Sequence, residues 1–197
     1  MYAGIWGSNI ELANSSIELD YYAGYASSAG GLDYDVMFLY YNFPSAEDSG
    51  SGNLETDYWE LWLTLGHGFD TALSPYVSIL GTYSPDWTLE DGDGFYIKGM
   101  LALTFANDWG LDFGIGYQDV EGDDATGSSG AFCTPATDTL CDGFSYTHWE
   151  AGLTKAYHGF DFDLRYHSTD EDDDLEDYFG GDENIDDRIV FSISRSF

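Results

Sequence analysis

Apolar and polar residues alternate along most of the chain, in runs of about ten residues. Segment 161–167 shows the pattern, because Phe162, Leu164 and Tyr166 alternate with charged or polar residues. A period of two residues predicts a β-strand with one apolar and one polar face. The apolar positions are rich in aromatic residues and the polar positions carry charges of both signs. This combination favours a barrel that is apolar outside and polar inside, as a lipid bilayer requires.

The alternation predicts about ten strands in one domain over residues 1–197. They cover approximately residues 2–11, 17–27, 32–43, 57–67, 74–84, 95–106, 111–120, 146–157, 160–168 and 187–197. Connections 28–31, 107–110 and 158–159 are short and contain glycine or asparagine, which predicts tight hairpins. Residues 68–73 are the longest of the short connections. The remaining connections are long and acidic, with 12–16 the most modest of them. Such alternation is typical of an all-β, up-and-down antiparallel transmembrane barrel with short periplasmic turns and long extracellular loops.

Sorting the strands by parity predicts a charged inner face. Its charged residues are Glu18, Asp20, Asp35, Glu60, Lys98, Asp112, Glu150, Asp161, Asp163, Arg165 and Arg188. Two interpretations stay open for this set. It could be a salt-bridge network that fills a narrow barrel, or a lumen that favours cations because acids outnumber bases.

The chain has 37 Asp and Glu residues but only 5 Lys and Arg residues, which gives a net charge of −32. This charge limits the classes of molecule that the protein can bind. Nucleic acid is therefore excluded as a partner. Salt adaptation and divalent-cation binding both fit such acidity. The candidate Ca²⁺ or Mg²⁺ ligands in acidic loops are Glu90, Asp91, Asp93, Asp170, Glu171, Asp172, Asp173 and Asp174. No other cofactor is expected.

Cys133 and Cys141 lie close together in one polar connection. A disulfide that closes this loop is the expected use of the pair, which predicts an oxidising compartment such as the periplasm or cell exterior. Residues 1–10 lack the basic start and apolar core of a signal peptide, so we expect a mature or shortened product. The sequence contains no run of about eighteen apolar residues, so it predicts no transmembrane helix.

Several segments carry a family resemblance: 2–10, 17–25, 32–36, 40–44 and the closing 187–194. These are similar to the TorF family of predicted porins, which are Gcw_chp-type outer-membrane β-barrel proteins. The resemblance implies the outer membrane of a Gram-negative bacterium, with lipid and lipopolysaccharide as surroundings. Family members carry an extra opening segment of two strands, so full-length relatives are expected to have about twelve. The last strand, ending in Phe197, would be read by the barrel-assembly machinery.

The main functional hypothesis is a small porin-like channel whose acid-rich lumen favours cations. The alternative is a structural or surface-display barrel with a plugged lumen and acidic loops that bind divalent cations. Enzymatic activity is not expected: Asp161, Asp163 and His167 share a face, but positions two apart are about 7 Å apart along a strand. No nucleophile-elbow or zinc motif is present either. A secreted, acidic β-sandwich is the competing fold.

Overall fold

The computed structural model describes residues 1–12, 15–46, 56–87, 92–122, 143–170 and 185–196. In them, one 10-stranded antiparallel sheet follows the chain order from β1 to β10. The strands are β1 (Tyr2–Leu12), β2 (Ser15–Ala29), β3 (Leu32–Asn42), β4 (Tyr58–Gly68), β5 (Tyr76–Ser84), β6 (Gly94–Phe105), β7 (Trp109–Val120), β8 (Phe144–Tyr157), β9 (Phe160–Thr169) and β10 (Arg188–Ser194). The predicted all-β, up-and-down arrangement of ten strands is confirmed. Every described pairing joins sequence neighbours, and none joins β1 to β10.

Tight hairpins connect strands at one end of the sheet, here called the turn end. Between β2 and β3, Gly30 and Gly31 have φ values of 61° and 84°. Between β8 and β9, His158 and Gly159 have φ values of 51° and 79°. Two consecutive positive φ values are typical of type I′ turns, whose twist matches that of the flanking strands. The hairpins predicted at 28–31 and 158–159 are therefore confirmed. The third, predicted at 107–110, is formed by Ala106–Asp108, in which Asn107 and Asp108 have φ values of 62° and 60°.

Several strand boundaries differ by one to three residues from the sequence-based prediction, including those at the β1–β2 connection and at the end of β10. The β1–β2 connection, expected to be a modest loop over 12–16, is shorter, because β1 ends at Leu12 and β2 begins at Ser15. Pairing continues to Leu12 opposite Ser15 after a register shift, so a bulge lengthens the ladder. Strand β10 ends at Ser194, opposite Asp161, because β9 begins only one residue earlier. Phe197 lies outside the described residues.

The two faces of the sheet differ in chemistry and in exposure. On β4, Trp59, Leu61 and Leu63 are 38%, 48% and 45% exposed, whereas Glu60 between them is 3% exposed. The register continues these assignments across the sheet, since Leu61 lies opposite Phe38 and Tyr83. The side of Leu61 is hereafter the apolar face and the side of Glu60 the polar face. This distribution is the reverse of a sandwich, in which the apolar faces pack together in a dry core.

Buried apolar side chains concentrate where the longer connections leave the sheet, here called the loop end. Val120, Phe144 and Ile185 form a buried cluster against which Trp87 and Tyr146 pack. We call these five residues the apolar cap. No helix in the described parts of the chain is long and apolar enough to cross a membrane.

Candidate functional site on the polar face

The charged residues predicted for the inner face all lie on the polar face. They are Glu18 and Asp20 on β2, Asp35 on β3, Glu60 on β4, Lys98 on β6, Asp112 on β7, Glu150 on β8, Asp161, Asp163 and Arg165 on β9, and Arg188 on β10. The structure divides them into groups with different electrostatics. Strands β6 to β9 bring acids and bases into contact, whereas β2 to β4 carry carboxylates alone.

An ionic cluster spans β6 to β9. Lys98 Nζ lies 2.9 Å from Glu150 Oε1, and Arg165 Nη1 lies 3.3 Å from the same oxygen. Arg165 also pairs through Nη2 with Asp163 Oδ2 at 2.8 Å, and through Nη1 with Asp112. These side chains retain between 14% and 28% exposure, so they are only partly screened by water. Both basic groups are therefore neutralised by carboxylates.

Glycines on the polar face make room for the ionic cluster. A Cβ built at Gly114 would lie 2.9 Å from both Glu150 Cγ and Lys98 Cε. A Cβ at Gly152 would lie 2.6 Å from Arg165 Nη2 and 2.9 Å from Asp112 Oδ1. Each contact therefore joins strands that are two apart, over a glycine of the strand between them. The sequence-based assignment of the charged positions did not identify this role.

Two tyrosines reach carboxylates in the same way. The Tyr2 hydroxyl on β1 donates to both oxygens of Asp35 on β3, at 2.8 and 2.9 Å, over Gly24 of β2. The Tyr76 hydroxyl on β5 donates to Asp33 Oδ2 at 3.2 Å, over Gly66 of β4. Asp33 was absent from the predicted inner-face set, although its parity matches that of Asp35. On this side of the sheet, tyrosine hydroxyls therefore donate to the carboxylates in place of basic residues.

Two histidines, His148 and His167, border the ionic cluster. The Tyr96 hydroxyl and His148 Nε2 are 2.8 Å apart, and the two rings are parallel to within 3°. They lie on β6 and β8, with Gly116 of β7 between them. His167 Nδ1 lies 3.7 Å from Glu150 Oε2. Histidines therefore extend the polar network from the ionic cluster towards the loop end.

The carboxylates of β2 and β4 meet aromatic groups near the loop end. Glu60 Oε2 accepts hydrogen bonds from Tyr41 Oη at 3.0 Å and Trp62 Nε1 at 2.7 Å. The rings of Tyr41 and Tyr58 stack with centroids 4.4 Å apart. Asp20, directly opposite Tyr41, is 9% exposed. We call Glu18, Asp20, Glu60, Tyr41, Tyr58 and Trp62 the acidic cluster.

The carboxylates of the acidic cluster have no Lys or Arg near them in the sequence. No Lys or Arg precedes Lys98, so β1 to β5 contain neither. Of the ion pairs that Lys98, Arg165 and His167 form, none includes a carboxylate of the acidic cluster. The polar face is therefore electrically asymmetric, compensated on β6 to β9 and anionic on β2 to β4.

A cavity of about 450 Å³ lies at the turn end of β7 to β10. Its polar lining includes Asp161, Asp163, Ser192 and Ser194. Asp161 itself is exposed, as is Arg188 at the opposite end of β10. The polar face therefore combines packed ionic contacts with open space.

The predicted loop ligands are only partly within the described residues. Asp93 Oδ2 accepts a hydrogen bond from Tyr83 Oη at 3.0 Å, and Asp170 Oδ1 accepts one from the Thr147 N–H at 2.5 Å. The other proposed ligands, Glu90, Asp91, Glu171, Asp172, Asp173 and Asp174, lie outside the described residues, as do Cys133 and Cys141. Among the described residues, no group of three metal-ligating side chains is arranged to hold an ion. The divalent-cation and disulfide assignments stay predictions.

Comparison with known proteins identifies the family. The model of a family described as "Bacterial protein of unknown function (Gcw_chp)" matches residues 1–197. The chain therefore belongs to the Gcw_chp family, a class of bacterial protein represented here by an all-β sheet with a polar and an apolar face. No curated protein and no solved structure matches the chain.

Proposed function

We propose that this chain forms an outer-membrane β-barrel that acts as a narrow, porin-like channel favouring cations. The observation that carries the proposal is the distribution of exposure on β4, where tryptophan and leucines are exposed and Glu60 is buried. Exposing these apolar side chains to water costs free energy. That cost is removed if lipid surrounds the apolar face. Closure of the sheet would then turn its polar face into a lumen. The resemblance to TorF porins and a Gram-negative outer-membrane location belong to the same proposal.

The preference for cations follows from the charges on the polar face. Lys98 and Arg165 are held by Glu150, Asp112 and Asp163. The carboxylates of β2 to β4 contribute negative charge without any Lys or Arg on β1 to β5. A lumen with this surplus would concentrate cations and repel anions, because charged walls of low dielectric focus the field.

Single-channel recording tests the channel. The purified full chain in planar bilayers under a KCl gradient is expected to give discrete conductance steps and a reversal potential of the sign for K⁺ preference. Asp35→Asn removes one charge from the polar face and should weaken that preference. Asp119→Asn is the matched control, because Asp119 lies opposite Phe95 on the apolar face. An absence of steps above background, or a preference for Cl⁻, would refute the channel.

The apolar cap favours a second candidate, a barrel with a plugged lumen that serves a structural or surface-display role. Trp87 packs both on the Val120–Phe144–Ile185 cluster and on Tyr58, whose ring centroid is 5.1 Å away. These contacts link β4 to β7 and β8 across the loop end. In this version, Ca²⁺ or Mg²⁺ in the acidic loops would bridge to anionic lipopolysaccharide. Calorimetry with Ca²⁺ that shows no saturable binding would remove the bridging role.

The two candidates differ in what Trp87→Ala does. If the apolar cap seals an otherwise open lumen, the substitution should raise the conductance of an inactive or weakly conducting protein. If the ionic cluster also fills the lumen, conductance should stay at background in Trp87→Ala. The matched control is Trp149→Ala, since Trp149 lies on the apolar face opposite Ile115.

A further inference from the structure

The five Lys and Arg residues of the chain divide between the two faces of the sheet. Three belong to the polar face described above. The other two, Lys155 and Arg195, follow the parity of the apolar face. Lys155 lies opposite Trp109 and Phe162, and Arg195 comes directly after Ser194, the last residue of β10. Both basic residues lie at the turn end of the sheet.

Each of these two cations lies over an aromatic ring of the apolar face. Lys155 Nζ is 5.6 Å from the ring centroid of Trp109, and Arg195 Cζ is 4.9 Å from that of Phe160. We call these four residues the basic rim. Lys155 also donates to the carbonyl oxygen of Asn107. An ammonium group has three N–H donors and a guanidinium five, so each can bind a further acceptor.

The loop end of the apolar face carries carboxylates where the turn end carries cations. There, tyrosine hydroxyls donate to aspartates at 3.0, 3.1 and 2.5 Å, in the pairs Tyr83–Asp93, Tyr117–Asp119 and Tyr166–Asp187. The two ends of this face therefore attract groups of opposite charge.

The distance between the two ends matches the apolar height of a transmembrane barrel. On β7, Trp109 of the basic rim and Asp119 at the loop end are ten positions apart, which is about 33 Å along the strand. A strand tilted by about 40° covers about 25 Å of height over that length. The outward apolar band of transmembrane barrels is about this tall, with aromatic residues along both borders. In a bilayer, the basic rim would therefore lie at the level of the lipid headgroups.

We propose that the basic rim binds the headgroup phosphates of anionic phospholipids. Lys155 and Arg195 would each donate to phosphate oxygens, and the acyl chains would lie on the apolar face beside Trp109 and Phe160. A headgroup without a cation of its own fits best, because an amine or choline group would be repelled by both residues. This inference rests on the proposed function, since it requires lipid around the apolar face. It adds the class of lipid and the end of the barrel that binds it.

Tryptophan quenching in lipid vesicles tests the basic rim without requiring conductance. The full chain is reconstituted into mixed phosphatidylcholine and phosphatidylglycerol vesicles, in which one lipid or the other carries bromine on its acyl chains. Brominated phosphatidylglycerol should quench Trp109 more strongly, because we expect it to be preferred about fivefold at Lys155. Trp109→Phe, which keeps a ring beneath Lys155, should remove the difference because it removes the reporter. About 1 M NaCl should weaken the preference by screening the charges.

Substitutions at the two cations locate the preference. Lys155→Met should bring the ratio at Trp109 close to one, and Arg195→Gln should lower it less, since Arg195 lies farther from the reporter. Arg188→Gln is the matched control, because it removes a charge from the polar face at the other end of β10. It should leave the preference unchanged. If Lys155→Met fails to fold, the more polar Lys155→Gln replaces it, and Arg195→Gln, beyond the last strand, gives an independent result.

The outcomes separate this inference from the barrel and from the channel. Equal quenching by the two brominated lipids in inserted protein would overturn the basic rim and leave the barrel intact. A preference that survives substitution of both cations would also overturn it, as would loss of the preference to millimolar inorganic phosphate, which would indicate a site for free phosphate. Failure to insert into vesicles of any composition would refute the basic rim and the barrel together. A preference that is lost in Lys155→Met, in a protein that conducts nothing, would support the basic rim and refute the channel.

Discussion

Lys98 Nζ lies 2.9 Å from Glu150 Oε1 although β7 separates their two strands. Strands two apart are separated by about 9.6 Å at the backbone, so the contact requires a long side chain and an unobstructed path. Gly114 of β7 supplies that path, because any Cβ there would meet both partners. The same arrangement recurs for Tyr2 and Asp35 over Gly24. Glycines on the polar face thus allow side chains to couple strands beyond their immediate neighbours.

Gly24→Ala is expected to destabilise the sheet. The new Cβ would lie 2.9 Å from Tyr2 Cε1 and closer still to the end of the ring, which would displace Tyr2 from Asp35. Overpacking of this kind costs about 1–3 kcal/mol, measurable by urea unfolding in detergent. Gly99→Ala is the control, because nothing lies within 4 Å of a Cβ built there. Equal stability of the two variants would contradict the close approach over Gly24.

The Lys98–Glu150 contact should appear as coupling in a double-mutant cycle of Lys98→Met and Glu150→Gln. The side chains are only 16% and 14% exposed, so solvent screens the pair less than it would a surface pair. We expect a coupling free energy of about 1–3 kcal/mol in unfolding measurements. A cycle of Lys98→Met with Asp161→Asn should be additive. Coupling of the same size in both cycles would mean that long-range charge, and not this contact, is responsible.

A charge on the apolar face should be costly in a bilayer. Leu63→Arg places a guanidinium at a position that is 45% exposed, among exposed leucines and aromatic rings. At mid-depth of a membrane the expected cost is about 2–4 kcal/mol, measured by folding into lipid vesicles. Thr64→Arg is the matched control on the polar face, opposite Asp35. Equal tolerance of both substitutions would speak against lipid around the apolar face.

Asp187 should contribute to the acid dependence of stability. The Ser168 and Tyr166 hydroxyls donate hydrogen bonds that hold the pKa of Asp187 below its ordinary value. A lowered folded-state pKa means that the stabilisation is present above the unfolded pKa of about 3.9. It is lost as pH falls through the lower folded value. Asp187→Asn should flatten this part of the stability profile in acid titrations monitored by tryptophan fluorescence.

The neighbouring substitution Asp186→Asn serves as control for Asp187→Asn, because it removes the same charge one residue away. Only loss of Asp187 should change the profile below about pH 4. Tyr166→Phe should reproduce part of the effect, since Tyr166 Oη donates to Asp187 Oδ2 at 2.5 Å. A profile that is identical in Asp187→Asn and the unsubstituted protein would contradict the assignment.

Strand number, hairpin positions and the two faces were predictable from the sequence. Side-chain direction alternates strictly along a strand, so the parity of Trp59, Glu60 and Leu61 is enough to place them on opposite faces. The prediction failed at the β1–β2 connection, where a register shift extends pairing to Leu12 and Ser15. A bulge of this kind places one extra residue in one strand, and no particular residue type marks it in the sequence. Alternation alone therefore does not reveal it.

What the amino-acid order determined by itself was local: alternation, turn residues and the surplus of acid. What only the tertiary structure decided was which residues meet across strands that are not adjacent. Arg165 reaches Asp112 over Gly152, whereas Asp20 is buried opposite Tyr41 with one oxygen unmet. Parity assigns these residues to one face but does not choose among partners on it. Partner choice depends on the register of every strand pair between them and on the space that intervening glycines leave.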